Sequence, residues 1–129
     1  MNGKYLLDTN VIIDLINNNR NIKLSFDNNK EIIIPSIVIG ELYFGAYNSK
    51  DISKNINTII NLIIDNNIIN CSVETAEIYG KVKSELRLKG RPIPENDIWI
   101  ASIAIQNNLI LVSKDKHFNE IDDLKLEVW

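Results

Sequence analysis

The sequence predicts an α/β fold, with a central, mostly parallel sheet of four to five strands and helices on both faces. Three observations carry that expectation. Short runs that are apolar on both faces recur at Tyr5–Leu7, Glu31–Ile34, Asn67–Cys71 and Leu109–Val112, a pattern that suits strands inside a parallel sheet. Segments with helical spacing separate them, and strands alternating with helices define this class. No repeat, linker or low-complexity tail intervenes, so the 129 residues read as one domain covering 1–129.

In chain order, Tyr5–Leu7 is the first strand. It ends abruptly at Asp8-Thr9-Asn10, and a helix follows from Asn10 to Asn17. The Asn17–Asn21 run breaks that helix, and a weaker helical segment continues through Phe26 to end near Asp27-Asn28-Asn29. After the second strand, Pro35 lacks the N–H to continue a ladder and Ser36 suits an N-cap, so the next helix spans Ile37–Tyr47. Ile52, Ile56, Ile59, Ile60 and Ile63 mark a further helix from Ile52 to Ile64. Ser72 caps a long helix from Val73 to Leu88, stopped by Gly90 and Pro92. Pro92-Ile93-Pro94 is extended, a helix covers Glu95–Gln106, and Leu109–Val112 leads to Ser113-Lys114-Asp115 at its tip. Leu124–Trp129 supplies a fifth strand.

The net charge is −3, from 14 basic and 17 acidic residues, which argues mildly against a nucleic-acid binder. The argument fails if several acids are sequestered on a cation. A single cysteine, Cys71, excludes an internal disulfide framework and fits a reducing cytoplasm. Neither a signal-peptide pattern nor an apolar run long enough for a membrane span is present, so a cytoplasmic protein with no membrane partner is expected.

Asp8 and Asp115 both follow apolar strands and should lie at the C-terminal edge of the sheet, where open α/β sheets bind ligands. Glu41 lies on an apolar helix face, one turn beyond the second strand, and a carboxylate there is costly without a partner. Asp97 sits in the first turn of a helix whose Ala101 and Ala104 allow close packing on the sheet. Each has a plain alternative: an N-cap for Asp8, a turn for Asp115, an exposed helix face for Glu41, a helix-dipole acid for Asp97. Their joint placement favours convergence. Crowded carboxylates take up protons or bind a cation, and an all-oxygen donor set selects Mg²⁺ or Mn²⁺. Such ions serve phosphoryl chemistry, and two of them about 3.5–4 Å apart clamp an in-line displacement. A lone His117 in the following turn reads as structural or solvated.

Leu7-Asp8-Thr9-Asn10, Glu41-Leu42, Asn96-Asp97-Ile98-Trp99-Ile100-Ala101 and Val112-Ser113-Lys114-Asp115-Lys116-His117-Phe118 together resemble the PIN-domain nucleases, and in particular the VapC-type ribonuclease toxins of prokaryotic toxin–antitoxin pairs. The resemblance covers essentially the whole chain. It implies a PIN-like fold and a Mg²⁺-dependent endoribonuclease in which Mn²⁺ substitutes for Mg²⁺. It makes Asp8, Glu41, Asp97 and Asp115 the catalytic, metal-binding acids, with Asp8 and Asp97 as the direct ligands of the best-held ion. Ser113 and Asn10 take supporting positions. It further implies an RNA substrate, a VapB-like antitoxin and a homodimer.

An acidic RNA-binding protein needs a local basic path. Lys81, Lys83, Arg87, Lys89 and Arg91 crowd the segment before Asp97, and Lys114 and Lys116 flank Asp115. Apolar residues in excess of what a small sheet covers, with Ile39, Leu42 and Tyr43 on one helix and Ile56, Ile60 and Ile63 on the next, independently suggest a homodimer or protein partner. Two rivals stay open on the residues alone: a receiver-like Mg²⁺-binding phosphoacceptor, and a catalytically silent domain of this fold that binds RNA or protein.

Overall fold

The computed structural model describes residues 3–17 and 31–129. The helical segment expected through Phe26 lies outside them. The chain forms β1 (Lys4–Leu7), α1 (Thr9–Ile16), β2 (Glu31–Pro35), α2 (Ser36–Tyr47), α3 (Ile52–Asp65), β3 (Asn67–Ile69), α4 (Val73–Lys89), α5 (Glu95–Gln106), β4 (Ile110–Val112), a 3₁₀ turn (Lys116–Glu120) and β5 (Leu126–Glu127).

The strands form one sheet in the order β3-β2-β1-β4-β5, and every pairing is parallel. β1 is central, which explains its unbroken apolar run: Leu6 and Leu7 are fully buried. The chain first steps outward from β1 to β3, then returns to β4 on the other side. With right-handed crossovers, those outward and return connections cover opposite faces. The packing follows suit, with α1 and α3 on α2, and α4 along α5. A reversal of direction between β1 and β4 leaves a crevice at their C-terminal ends. The order also separates this sheet from the receiver type, which follows 2-1-3-4-5, so the receiver-like alternative is set aside.

Local chemistry accounts for the helix ends. Ser72 accepts from Thr75 N at 3.3 Å while Thr75 Oγ1 accepts from Ser72 N at 2.9 Å, a reciprocal cap on α4. The same Thr75 hydroxyl bonds Gln106, and Gln106 Nε2 donates to Ser72 Oγ at 2.9 Å, so the start of α4 is tied to the end of α5. Gly90 ends α4 at φ 68°, a left-handed conformation that favours glycine.

Two expectations are corrected. Pro35 remains in β2, in register with Ile69, and is itself the residue before α2; Ser36 is the first helical residue and not the cap. A proline at the last strand position forfeits only its own N–H, so the pairing with β3 can run to the strand's end. The apolar surplus of α2 also falls on different side chains. Ile39 and Leu42 are core residues, because α2 is rotated to present them to the sheet, whereas Phe44 is 73% and Tyr47 61% exposed. On α3, Ile60 and Ile64 are exposed while Ile56 and Ile63 pack against the core.

Beyond β4, Phe118 is the anchor of the last turn. Its ring is among the largest fully buried side chains. Phe118→Ala should lower the unfolding free energy by about 3–5 kcal/mol, measured by urea denaturation. A change of only a few tenths would mean that the turn is not held by its core contact.

Candidate active site

The site is assembled where β1 and β4 end. Asp8 N donates to Val112 O at 3.0 Å, carrying the parallel ladder one residue past β1 and setting Asp8 beside Ser113. Asp8 is only 5% exposed. Its Oδ1 accepts from Thr9 N at 2.8 Å; its Oδ2 accepts from Ser113 Oγ at 2.7 Å and from Asn10 Nδ2 at 3.2 Å. Asp8 therefore caps α1 and belongs to the acid cluster at once; the two readings of it are not exclusive.

Asn10 reaches further. Its Oδ1 accepts from Lys114 N at 3.2 Å, and Ser113 Oγ accepts from Asp115 N at 3.0 Å. These bonds fix the loop after β4 against the start of α1. A partly exposed ion pair adds to the junction: Lys114 Nζ pairs with Asp14 of α1. Lys114 is thus engaged within the protein, and Asp14, which looks like an ordinary helix residue in the sequence, is its partner.

Glu41 enters from α2. Its Oε2 accepts from Thr9 Oγ1 at 2.8 Å and its Oε1 from Asn96 Nδ2 at 3.3 Å. Thr9 and Asn96 have no role assigned from sequence. Each is adjacent to a singled-out acid, but only the fold shows that both converge on Glu41. Asp97 comes from the first turn of α5, its side chain 14% exposed. Asp115 caps the 3₁₀ turn, accepting from His117 N at 2.9 Å. An open cleft of about 680 Å³ brings together Thr9, Glu41, Asn96, Asp97 and Asp115, with Ile37, Phe44 and Pro94 as its apolar wall.

Electrostatics record the crowding. Burial first, then the charges of Asp8 and Asp115, push the Asp97 carboxyl up from 3.8 to about 6, with His117 pulling the other way. Burial also raises Asp8, against the hydrogen bonds from Ser113 and Thr9, and the charges of Glu41 and Asp115 add to the rise. Mutual repulsion thus links all four acids, from four separate segments.

The donor set fits a divalent cation. Ligand atoms of Asp97, Asp115 and His117 lie within 4.8 Å of one another, and the raised proton affinity of Asp8 and Asp97 is what unbalanced carboxylates show. The acidic cluster can hold a metal ion.

The basic residues are not gathered at this cleft as a group. Lys83 pairs with Glu95 at 2.5 Å and Lys89 with Asp122 at 2.8 Å. Lys81, Arg87, Arg91 and Lys116 are exposed and pair with no described acid. Arg87 lines a separate hollow with Lys83, Leu86, Pro92, Ile93 and Glu95.

A parallel sheet of this order, with acids gathered at its β1/β4 crevice, defines an α/β domain whose strand tips can hold a metal ion. The sequence pattern of the PIN domain family matches residues 5–124. The chain belongs to the PIN-domain family, within its VapC-type branch. It is 36% identical over 129 residues to Ribonuclease VapC2 of Haemophilus influenzae, covering 98% of both chains. It is 37% identical over 131 residues to Ribonuclease VapC2 of Rickettsia felis, covering 97% of both. Among solved structures, VapBC2 from Rickettsia felis, bound to a DNA fragment from its promoter, superposes with a TM-score of 0.92 at 34% identity over 98% of both chains.

The Asp97 carboxyl yields a stability test. An unfolded aspartate titrates near 3.8 and Asp97 near 6, so between these values the folded, metal-free chain keeps a proton that the unfolded chain has released. Stability then falls as pH rises through that window. The loss is at most about 3 kcal/mol, less whatever solvent in the cleft screens. Asp97→Asn, in chelator at pH 7, should therefore raise the thermal midpoint by about 2–8 °C, and the gain should vanish near pH 4. A lower midpoint than wild type at pH 7 would show that repulsion at Asp97 is not a cost to the fold.

Proposed function

We propose that this protein is a Mg²⁺-dependent endoribonuclease, with Mn²⁺ able to substitute, acting in the cytoplasm as the toxin of a toxin–antitoxin pair. The observation that carries the reading is the gathering of Glu41, Asp97 and Asp115 on one open cleft with Asp8 buried close by, the Asp8 and Asp97 carboxyls being raised by burial and by the charges of neighbouring acids. The related proteins named ribonucleases, at 36–37% identity over nearly the whole chain, support it. The intact acidic set favours an enzyme over a silent binding domain. Among the described residues no helix is long and apolar enough to cross a membrane.

The reaction is hydrolysis of a phosphodiester. A water oxygen adds to phosphorus, the bond to the leaving oxygen breaks in line, and the leaving oxygen takes up a proton. Asp8 and Asp97 would be the principal cation ligands, with Glu41 and Asp115 beside them. When bound, a divalent cation at such a site lowers the pKa of water and offsets charge on the phosphate. The chain's own groups keep the donors in place: Ser113 and Asn10 fix the Asp8 carboxylate, and Thr9 and Asn96 orient Glu41. None of the acids acts as a covalent nucleophile.

RNA is the substrate class, and Lys81, Arg87, Arg91 and Lys116 are the phosphate contacts that remain free of described ion pairs. Lys83, Lys89 and Lys114 contribute less, because each is already paired with an acid. Exposed Phe44 borders the acidic cleft, and a neighbouring apolar hollow lined by Ile13, Ile16, Leu42, Ala46 and Ile59 shares Glu41 with it. A VapB-like antitoxin seated there covers apolar surface and reaches the acids together, and a homodimer covers the rest of the surplus.

Purified Asp8→Asn should keep its circular dichroism spectrum and lose at least about a hundredfold in cleavage of structured RNA. EDTA should silence the wild type and excess Mg²⁺ should restore it; cleavage at the wild-type rate by Asp8→Asn would sink the metal-site reading. Replacing Arg87 and Arg91 by Gln should weaken RNA binding and flatten the slope of log affinity against log salt by about 1.4. An unchanged slope removes both from the RNA path.

A further inference from the structure

We propose that His117 supplies an imidazole nitrogen ligand to the cation of the acidic cleft, so that the site favours Mn²⁺ over Mg²⁺. This deepens the divalent-cation reading above and rests on it. His117 Nδ1 lies 3.0 Å from Asp115 Oδ1 and 3.5 Å from Asp97 Oδ2, and all three donor atoms fall within 4.8 Å of one another. Donors held about 2.1 Å from one ion are about 3 Å apart when adjacent and about 4.2 Å apart when opposite. The two imidazole distances fit donors that share one ion.

The placement of the imidazole is built into the turn. Asp115 accepts the backbone N–H of His117 at 2.9 Å, and the next residue, Phe118, is locked in the core. The backbone is therefore held on both sides of His117 while its side chain stays 53% exposed. An Nδ1 atom facing two carboxylates either carries a proton, as a counter-ion, or directs its lone pair at a cation that all three share. The two states exclude each other, because a protonated nitrogen cannot coordinate. Mixed nitrogen–oxygen donor sets hold Mn²⁺ better than Mg²⁺, which prefers oxygen and gives up water reluctantly.

The chain has one histidine, so any imidazole signal belongs to His117. The experiment is pulsed electron paramagnetic resonance on the full-length protein loaded with Mn²⁺, with no activity readout. Wild type should show modulation from a directly bound ¹⁴N, changing to the ¹⁵N pattern when histidine is labelled. In His117→Asn the modulation should disappear, Mn²⁺ affinity should fall by about tenfold, and Mg²⁺ affinity, measured by competition, should change much less. Bound Mn²⁺ without nitrogen modulation in wild type would overturn this inference and leave the acidic site standing. No Mn²⁺ bound at millimolar concentration would overturn both. The His117 side chain is 53% exposed and fills no core space, and the labelled wild-type spectra decide the matter without the variant.

Discussion

Repulsion among four carboxylates is the constraint around which the rest of the structure is arranged. Each would be more stable dispersed in water. The fold instead brings Asp8 from the end of β1, Glu41 from α2, Asp97 from α5 and Asp115 from the loop after β4. A parallel sheet makes this feasible, since all its strands end at one edge and the helices that follow them begin there. The N-termini of α1, α2 and α5 carry partial positive charge, which offsets some of the cost. Hydrogen bonds from Ser113, Asn10, Thr9 and Asn96 offset more of it. What remains shows in the raised Asp8 and Asp97 carboxyls, and it is the free energy that a bound cation recovers.

The same constraint explains the ties across the β1–β4 seam. The loop carrying Asp115 is short and follows a three-residue strand, so little of its own packing holds it against like charge. Asn10 bonds its backbone, Ser113 bonds the Asp115 N–H, and the Lys114–Asp14 pair bolts it to α1. The pair is partly exposed, Lys114 at 43% and Asp14 at 27%, so its effect is to position the loop more than to add stability. Lys114 is therefore better understood as part of the scaffold of the site than as a free cation awaiting a phosphate.

Much of this was legible in the sequence, for physical reasons that can be named. The apolar runs before Asp8 and Ser113 locate strand tips because only buried parallel strands are apolar on both faces. Ser72 and Gly90 mark the ends of α4 because capping is local chemistry. Glu41 stands out because a lone acid on an apolar face needs a reason. Contacts distant in sequence were illegible. Nothing near Thr9 announces a bond to a residue 32 positions away, and nothing near Asp14 announces Lys114. The rotation of α2 was also hidden, since nearly every face of Ile37–Tyr47 is apolar and periodicity cannot choose among them. The sheet decides, burying Ile39 and Leu42 and leaving Phe44 outside. For His117, composition and spacing say nothing; only the turn fixed by Asp115 and Phe118 directs its ring toward the acids.

Net charge illustrates why global numbers mislead at such a site. The formal value of −3 counts the four clustered acids as though they were free surface charges. One divalent cation bound among them moves the total to −1, by adding 2 to −3. More to the point, it offsets half of the formal charge of the four clustered acids at the cleft itself, while the exposed Lys81, Arg87, Arg91 and Lys116 are unchanged. Fields at an interface act over about 8–10 Å at physiological salt, so an approaching phosphodiester responds to the local arrangement and not to the sum.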